Sequence, residues 1–142
     1  MGDAELAKNR LLRDIENDSR VQSVIKATEH RSRSAWKVET HQSTKIIWVT
    51  YSKFAGDSTR SESPFYGSTW NSMTDLRKDH PLYLIFLGVT DDHRWTVPFA
   101  DFVSRFEVND KKEGNDWRFN FDAGDNRTLL SEYRGIDPLF EF

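Results

Sequence analysis

Apolar residues near the start of the chain recur with helical spacing. Leu11 and Ile15 are four residues apart, and the apolar residues of segment 21–25 continue a spacing of three and four. Residues 17–19 (Asn-Asp-Ser) interrupt the pattern with residue types that favour helix N-caps. The pattern therefore predicts an N-terminal helical segment over 3–28, as two helices or one kinked helix.

Beyond this segment the pattern changes to alternation. Residues 35–40 and 45–51 predict two strands on either side of a polar turn, 41–44. In the second strand, apolar residues fall on both faces, which is typical of a strand inside a sheet. The most apolar run of the chain, 82–87, predicts the central strand, and 94–97 predicts its return strand.

The remaining segments complete an α+β pattern. Residues 52–68 predict a long polar loop, 69–78 and 99–106 predict helices, 117–121 predict a half-buried strand, and 128–134 predict a last helix. This order predicts one domain over 1–142 of class α+β. Its body, 35–135, would hold a mainly antiparallel, curled sheet of about five strands, covered by short packing helices.

Composition narrows the class of protein. The 142 residues include no cysteine, which excludes disulfides and thiolate zinc sites and fits a cytoplasmic location. No apolar run is long enough to span a bilayer, so no membrane association is expected. The net charge is −3, yet residues 8–37 carry eight Lys or Arg against four acids. This imbalance hints at an anionic partner, although an ordinary solvated helical face would look the same.

Three polar clusters contain residue types used in catalysis. Glu39 and His41 are two apart on a strand, residues 91–93 (Asp-Asp-His) join two strands, and 122–127 is an acidic loop with a glycine. Each could hold a metal ion or an acid–base pair. Each also fits a plain turn or strand end, which we favour. We therefore predict no catalytic residue, no metal and no cofactor.

A metal-dependent nuclease of the restriction type would need an acid on one strand and a Glu-x-Lys pair beyond it. No such pair is present, because Lys45 and Lys53 are too far from Glu39 along the chain. Nuclease activity is therefore the third of three functional hypotheses.

The loop after the second strand mixes cations with aromatic residues. It contains Lys53, Arg60, Phe65 and Tyr66 among many hydroxyl side chains. Cations and hydroxyls contact phosphates, and exposed aromatic rings stack on bases. The alternative is that the aromatic residues anchor the loop to the core.

One pattern covers about half the chain, from Trp48 to Asp116. An aromatic strand ends in Tyr-Ser-Lys (51–53), a loop ends in Phe-Tyr-Gly (65–67), and a helix, an apolar strand, Trp-Thr-Val-Pro (95–98) and another helix follow. This arrangement resembles small DNA-recognition domains attached to restriction and other defence nucleases. The resemblance implies DNA binding, including recognition of a modified or flipped base, beside a nuclease or motor domain of the same system as partner.

The leading hypothesis is therefore a DNA-binding module of a restriction or antiviral defence system. The runner-up is a protein-interaction or inhibitor domain with an acidic surface. Lys8 and Arg10 are further candidates for phosphate contacts. The predicted nucleic-acid-binding residues, for phosphate contact or stacking, are Lys53, Arg60, Phe65, Tyr66, Trp48, Arg31 and Arg33.

Overall fold

Eight strands and five α-helices make up the described part of the protein. The computed structural model describes residues 2–27, 35–52, 64–88, 90–109, 116–120 and 123–141, and for 64–72, 109 and 116–118 it describes the backbone alone. In chain order the elements are α1 (Asp3–Glu16), β1 (Val21–Lys26), β2 (Ala35–Thr40), β3 (Thr44–Tyr51), β4 (Pro64–Thr69), α2 (Trp70–Leu76), β5 (Leu82–Leu87), β6 (Arg94–Pro98), α3 (Phe99–Arg105), β7 (Val108–Asn109), β8 (Asp116–Asn120), α4 (Asn126–Leu130) and α5 (Pro138–Glu141), with a 3-10 helix (Ser131–Tyr133) after α4.

The main sheet has five strands in the order β1-β2-β3-β5-β6. Strands β3 and β5 pair in parallel, and the other three pairs are antiparallel. All six residues of β5 are buried, as expected for the most apolar run of the chain. The predicted α+β class and the mainly antiparallel pairing are confirmed. The prediction of Leu82–Leu87 as the central strand is wrong, because this strand lies fourth of five, between β3 and β6, and β3 is central.

Each face of the main sheet carries its own hydrophobic core. On one face, α1 and α5 pack over Ile47, Val49 and Ile85. On the other face, α2, α3 and α4 pack over Ile46 and neighbouring residues of the same strands. Because successive side chains of a strand point to opposite faces, one strand supplies both cores. The alternation predicted for 45–51 is therefore confirmed.

A second sheet, order β4-β8-β7, was not foreseen in the sequence. Its strand β4 lies within 52–68, where a loop was predicted, so that prediction is wrong for residues 64–68. The segment contains Pro64 and Gly67 and has no apolar alternation that would predict a strand. It forms a strand by pairing with β8, which begins almost fifty residues later. Residues 53–63 of the predicted loop lie outside the described residues.

The prediction of helix beyond residue 17 is also wrong, because Val21–Lys26 is the edge strand β1. The register of β1 against β2 shifts between Val21 and Ser23, which is a β-bulge. A bulge adds one residue to the alternation. Val21 and Val24 therefore both join the core under α1, although they are three residues apart. This spacing imitates one turn of a helix.

Gly135 occupies a backbone conformation that other residues adopt at a cost. Its φ is +78°, its N–H donates to the Arg94 carbonyl and its own carbonyl accepts from Thr96 Oγ1. A Cβ at this position would meet no atom within 4 Å, so the penalty is purely conformational.

We expect Gly135→Ala to lower the free energy of unfolding by about 1–2 kcal/mol, measured by urea unfolding. Gly135→Asn should lose less, since Asn tolerates positive φ. An alanine variant as stable as the parent would contradict this assignment.

Candidate nucleic-acid interface

Most of the predicted DNA contacts fall outside the described side chains. Lys53, Arg60, Arg31 and Arg33 lie in segments 53–63 and 28–34, which are outside the described residues. The backbones of Phe65 and Tyr66 lie in β4, opposite Phe119 and Arg118 of β8. Their roles stay predictions.

Among the seven residues predicted for nucleic-acid binding, Trp48 is the one whose side chain is described, and it lies in the core. It is 8% exposed and belongs to the cluster that also holds Met73 and Leu84. A base cannot reach this ring while the core is closed. Trp48 is therefore not part of the candidate interface.

Glu39 and His41 do not form a common site. Glu39 accepts a hydrogen bond from Ser23 Oγ at 3.1 Å. The His41 ring is 3.1 Å from the Ser19 carbonyl through Nε2 and 3.1 Å from the Gln22 amide through Nδ1. These partners assign the proton to Nε2. Both ring nitrogens therefore connect the turn between β2 and β3 to the start of β1.

Residues 91–93 form the turn that the sequence favoured. Asp91 forms ion pairs with Arg10 at 2.9 Å and with Arg94 at 3.5 Å, and Arg94 also reaches Asp14 at 2.6 Å. These ion pairs attach α1 to the β5–β6 turn. The turn follows Leu87, which pairs with Tyr51 at one end of β3, whereas Glu39 pairs with Thr44 at the other end, roughly 23 Å away along the strand.

In the acidic segment 122–127, of which residue 122 lies outside the described residues, Asn126 has a structural role. It is 1% exposed and forms three hydrogen bonds with backbone groups of Glu107 and Asn120. Within the ranges that the structure describes, no group of three or more His, Asp or Glu side chains is placed to hold a metal ion.

A basic patch, which we define as Lys8, Lys26 and Trp36, lies beside α1 at the end of the β1–β2 hairpin. Lys26 Nζ is 4.0 Å from the centroid of the Trp36 ring. Lys26 and Trp36 are direct partners in the antiparallel ladder, so their side chains share the face that α1 covers. Segment 28–34, with Arg31 and Arg33, joins these two strands in the sequence.

The two lysines of the basic patch repel each other. Burial lowers the pKa of Lys26, and the nearby charge of Lys8 lowers it further. Burial also lowers the pKa of Lys8, while Glu5 opposes this change. An anion next to both ammonium groups would offset this repulsion. The patch is therefore suited to a phosphate.

Several other described cations have carboxylate partners within ion-pair distance. These cations are Arg10, Arg20, Lys78, Arg94 and Arg105. Arg10, predicted as a phosphate contact, is thus bound to Asp91. Sequence reasoning selected Lys8 but missed Lys26 and Trp36 as a pair. The sequence pattern predicts a helix where β1 lies, so the pairing of Lys26 with Trp36 could not be predicted.

Comparisons with protein-family models, with curated proteins and with solved structures found no match. Over the residues that the structure describes, no helix is both long and apolar enough to cross a membrane.

Proposed function

We propose that this protein is a DNA-binding module that contacts the phosphate backbone through the basic patch. The observation that carries the proposal is the position of Lys26 Nζ, which lies 4.0 Å from the Trp36 ring centroid and is repelled by the nearby ammonium of Lys8. Phosphate oxygens next to both groups would relieve that repulsion.

The neighbouring sequence supports the same surface. Arg31 and Arg33 belong to the segment between Lys26 and Trp36, so the sequence that joins β1 and β2 contains two further cations. The edge position of β1 in the main sheet leaves this end beside only one other strand. A DNA backbone is a line of negative charges, and the ammonium groups of Lys8 and Lys26 are complementary to it.

The finer part of the proposal concerns a modified or flipped base within a restriction or defence system. It rests on the resemblance of 48–116 and on Phe65 and Tyr66 as stacking candidates. In DNA modules of this kind, aromatic rings hold an extruded base while cations hold its backbone. A nuclease or motor domain of the same system would then act on the bound DNA.

The test is fluorescence anisotropy with a labelled duplex, unmodified or carrying methylated cytosine or adenine, at two salt concentrations. We expect binding that weakens as salt rises, because released counterions drive phosphate contacts. A preference for a methylated duplex would support the base pocket.

Two other outcomes would reject parts of the proposal. Absence of binding to every duplex at low salt would reject DNA binding and favour the runner-up, a protein-interaction domain, which pull-down experiments would then address. Cleavage of the probe when Mg²⁺ is added would instead revive the nuclease hypothesis.

A further inference from the structure

A pocket of about 220 Å³ opens on the main sheet at the opposite end of the β1–β2 hairpin from the basic patch. Its walls include Arg20 before β1, Thr40 and His41 at the end of β2, Lys45 in β3 and Phe140 in α5. This volume equals roughly seven water molecules at about 30 Å³ each. It is enough for a small organic molecule.

Lys45 is the unusual residue of this pocket. It is 8% exposed, its ammonium donates to the Leu139 carbonyl, and it lies 5.2 Å from the centroid of the Tyr83 ring. Among the described residues, no carboxylate lies within ion-pair distance of it. Burial lowers the pKa of this amine. Lysines are rarely buried without a counter-charge, and an ammonium has three hydrogens to donate.

Arg20 also lines the pocket, and two carboxylates face its guanidinium. Its Nε and Nη2 donate to Asp18, Nη2 also donates to Asp137, and its guanidinium lies 3.8 Å from the Phe140 ring centroid. The hydrogen bond from Arg20 is the main reason that the pKa of Asp18 falls to about 2. The Nη1 group of Arg20 has no hydrogen-bond partner in the described ranges.

We propose that this pocket binds the carboxylate of a small organic acid, with Lys45 Nζ and Arg20 Nη1 as donors to its two oxygens. The apolar body of the ligand would lie beside the Phe140 ring. Among the described residues Lys45 has no carboxylate partner, whereas Arg20 already has two, so a ligand with a single negative charge suits the pocket better than one with more. A phosphate monoester carries about −1.5 to −2 charges at pH 7 and would also meet the nearby Asp18 and Asp137.

This inference does not depend on DNA binding. The pocket and the basic patch lie at opposite ends of β2, where Trp36 and Thr40 are roughly 13 Å apart along the strand. A substitution in the pocket leaves the residues of the basic patch unchanged, and a substitution in the patch leaves the pocket unchanged. Failure of one proposal therefore leaves the other standing.

The experiment is a titration of the ¹⁵N-labelled chain with sodium benzoate, followed by amide chemical shifts. Benzamide serves as the matched ligand, because it has the same ring and nearly the same shape but no charge. We expect saturable shifts at residues 40–45 with benzoate, and at least tenfold weaker binding with benzamide. Sodium chloride at equal ionic strength should produce no such shifts.

Lys45→Met tests the role of the ammonium, and Lys78→Met is the matched control at an exposed lysine that pairs with Asp75. We expect Lys45→Met to weaken benzoate binding at least tenfold and Lys78→Met to leave it unchanged. Arg20→Gln provides a second variant at the pocket, should Lys45→Met fail to fold.

Stability gives an independent measurement on the same variant. Without ligand, Lys45→Met should be more stable than the parent near neutral pH, because it removes a buried charge. The lowered pKa means that the folded parent releases this proton before the unfolded chain does. The stability of the parent relative to the variant should therefore rise with pH, from the folded-state pKa towards the ordinary value.

Three results would overturn the proposal: equal binding of benzamide and benzoate, unchanged benzoate binding by Lys45→Met, or no saturable shift with any carboxylate. Tighter binding of inorganic phosphate than of benzoate would overturn the assignment to carboxylates.

Discussion

Replacing Phe86 with alanine is expected to lower the free energy of unfolding by about 3–5 kcal/mol. Phe86 is fully buried in β5. Its ring centroid lies 5.6 Å from that of Phe102 in α3 and 5.0 Å from that of Phe119 in β8. One side chain thus joins the main sheet, a covering helix and the second sheet. Its truncation leaves a cavity between β5, α3 and β8, and these three elements cannot all move inward to fill it.

Urea unfolding measures this loss as a lower midpoint with an unchanged slope. The total stability of a domain is about 5–15 kcal/mol, so the variant should be only marginally folded at 37 °C. Leu6→Ala is the control, because Leu6 is 42% exposed and should change stability by less than about 0.5 kcal/mol. A loss below 1 kcal/mol for Phe86→Ala would contradict the packing of the second sheet on β5.

Asn126→Ala should cost about 2–4 kcal/mol, since it removes three buried hydrogen bonds at once. Asn126 Oδ1 accepts from the Glu107 N–H at 2.8 Å, and its Nδ2 donates to the carbonyls of Glu107 and Asn120 at 2.8 Å each. These contacts attach the start of α4 to β8 and to the residue before β7. The alanine variant removes all three hydrogen bonds at a position where the side chain is almost completely buried.

Asn126→Asp distinguishes the contribution of the hydrogen bonds to stability from that of packing, because the two side chains have nearly the same shape. A carboxylate would keep the acceptor for Glu107 but would face two carbonyl oxygens, so its folded-state pKa should be raised. The stability of this variant should then be highest at acidic pH and fall as pH rises through that pKa. A pH-independent loss equal to that of Asn126→Ala would contradict the hydrogen-bond account.

The central part of the fold could be predicted from the sequence because its signals are local. The run 82–87 is apolar throughout, and 45–51 alternates between two buried faces, so both strands follow from side-chain pattern alone. Segment 21–26 could not be assigned in this way. A bulge placed Val21 and Val24 on one face, and only the pairing with β2 distinguishes that spacing from a helix.

The candidate sites were harder to predict because they depend on partners distant in sequence. Lys26 and Trp36 become neighbours through strand register, and Lys45 meets Leu139 almost one hundred residues later. No spacing rule links such residues. The turn 91–93, by contrast, was interpreted correctly, because a polar tripeptide between two apolar strands is a local signal.

The salt dependence of DNA binding tests the basic patch most directly. Wild-type protein, Lys26→Gln and Lys78→Gln are compared over a series of salt concentrations with one labelled duplex. Each variant removes one positive charge, but only Lys26 belongs to the patch, while Lys78 pairs with Asp75. The slope of log affinity against log salt should become shallower by about 0.9 for Lys26→Gln and stay unchanged for Lys78→Gln. Equal slopes for all three proteins, or no binding by any of them, would contradict a phosphate contact at this patch.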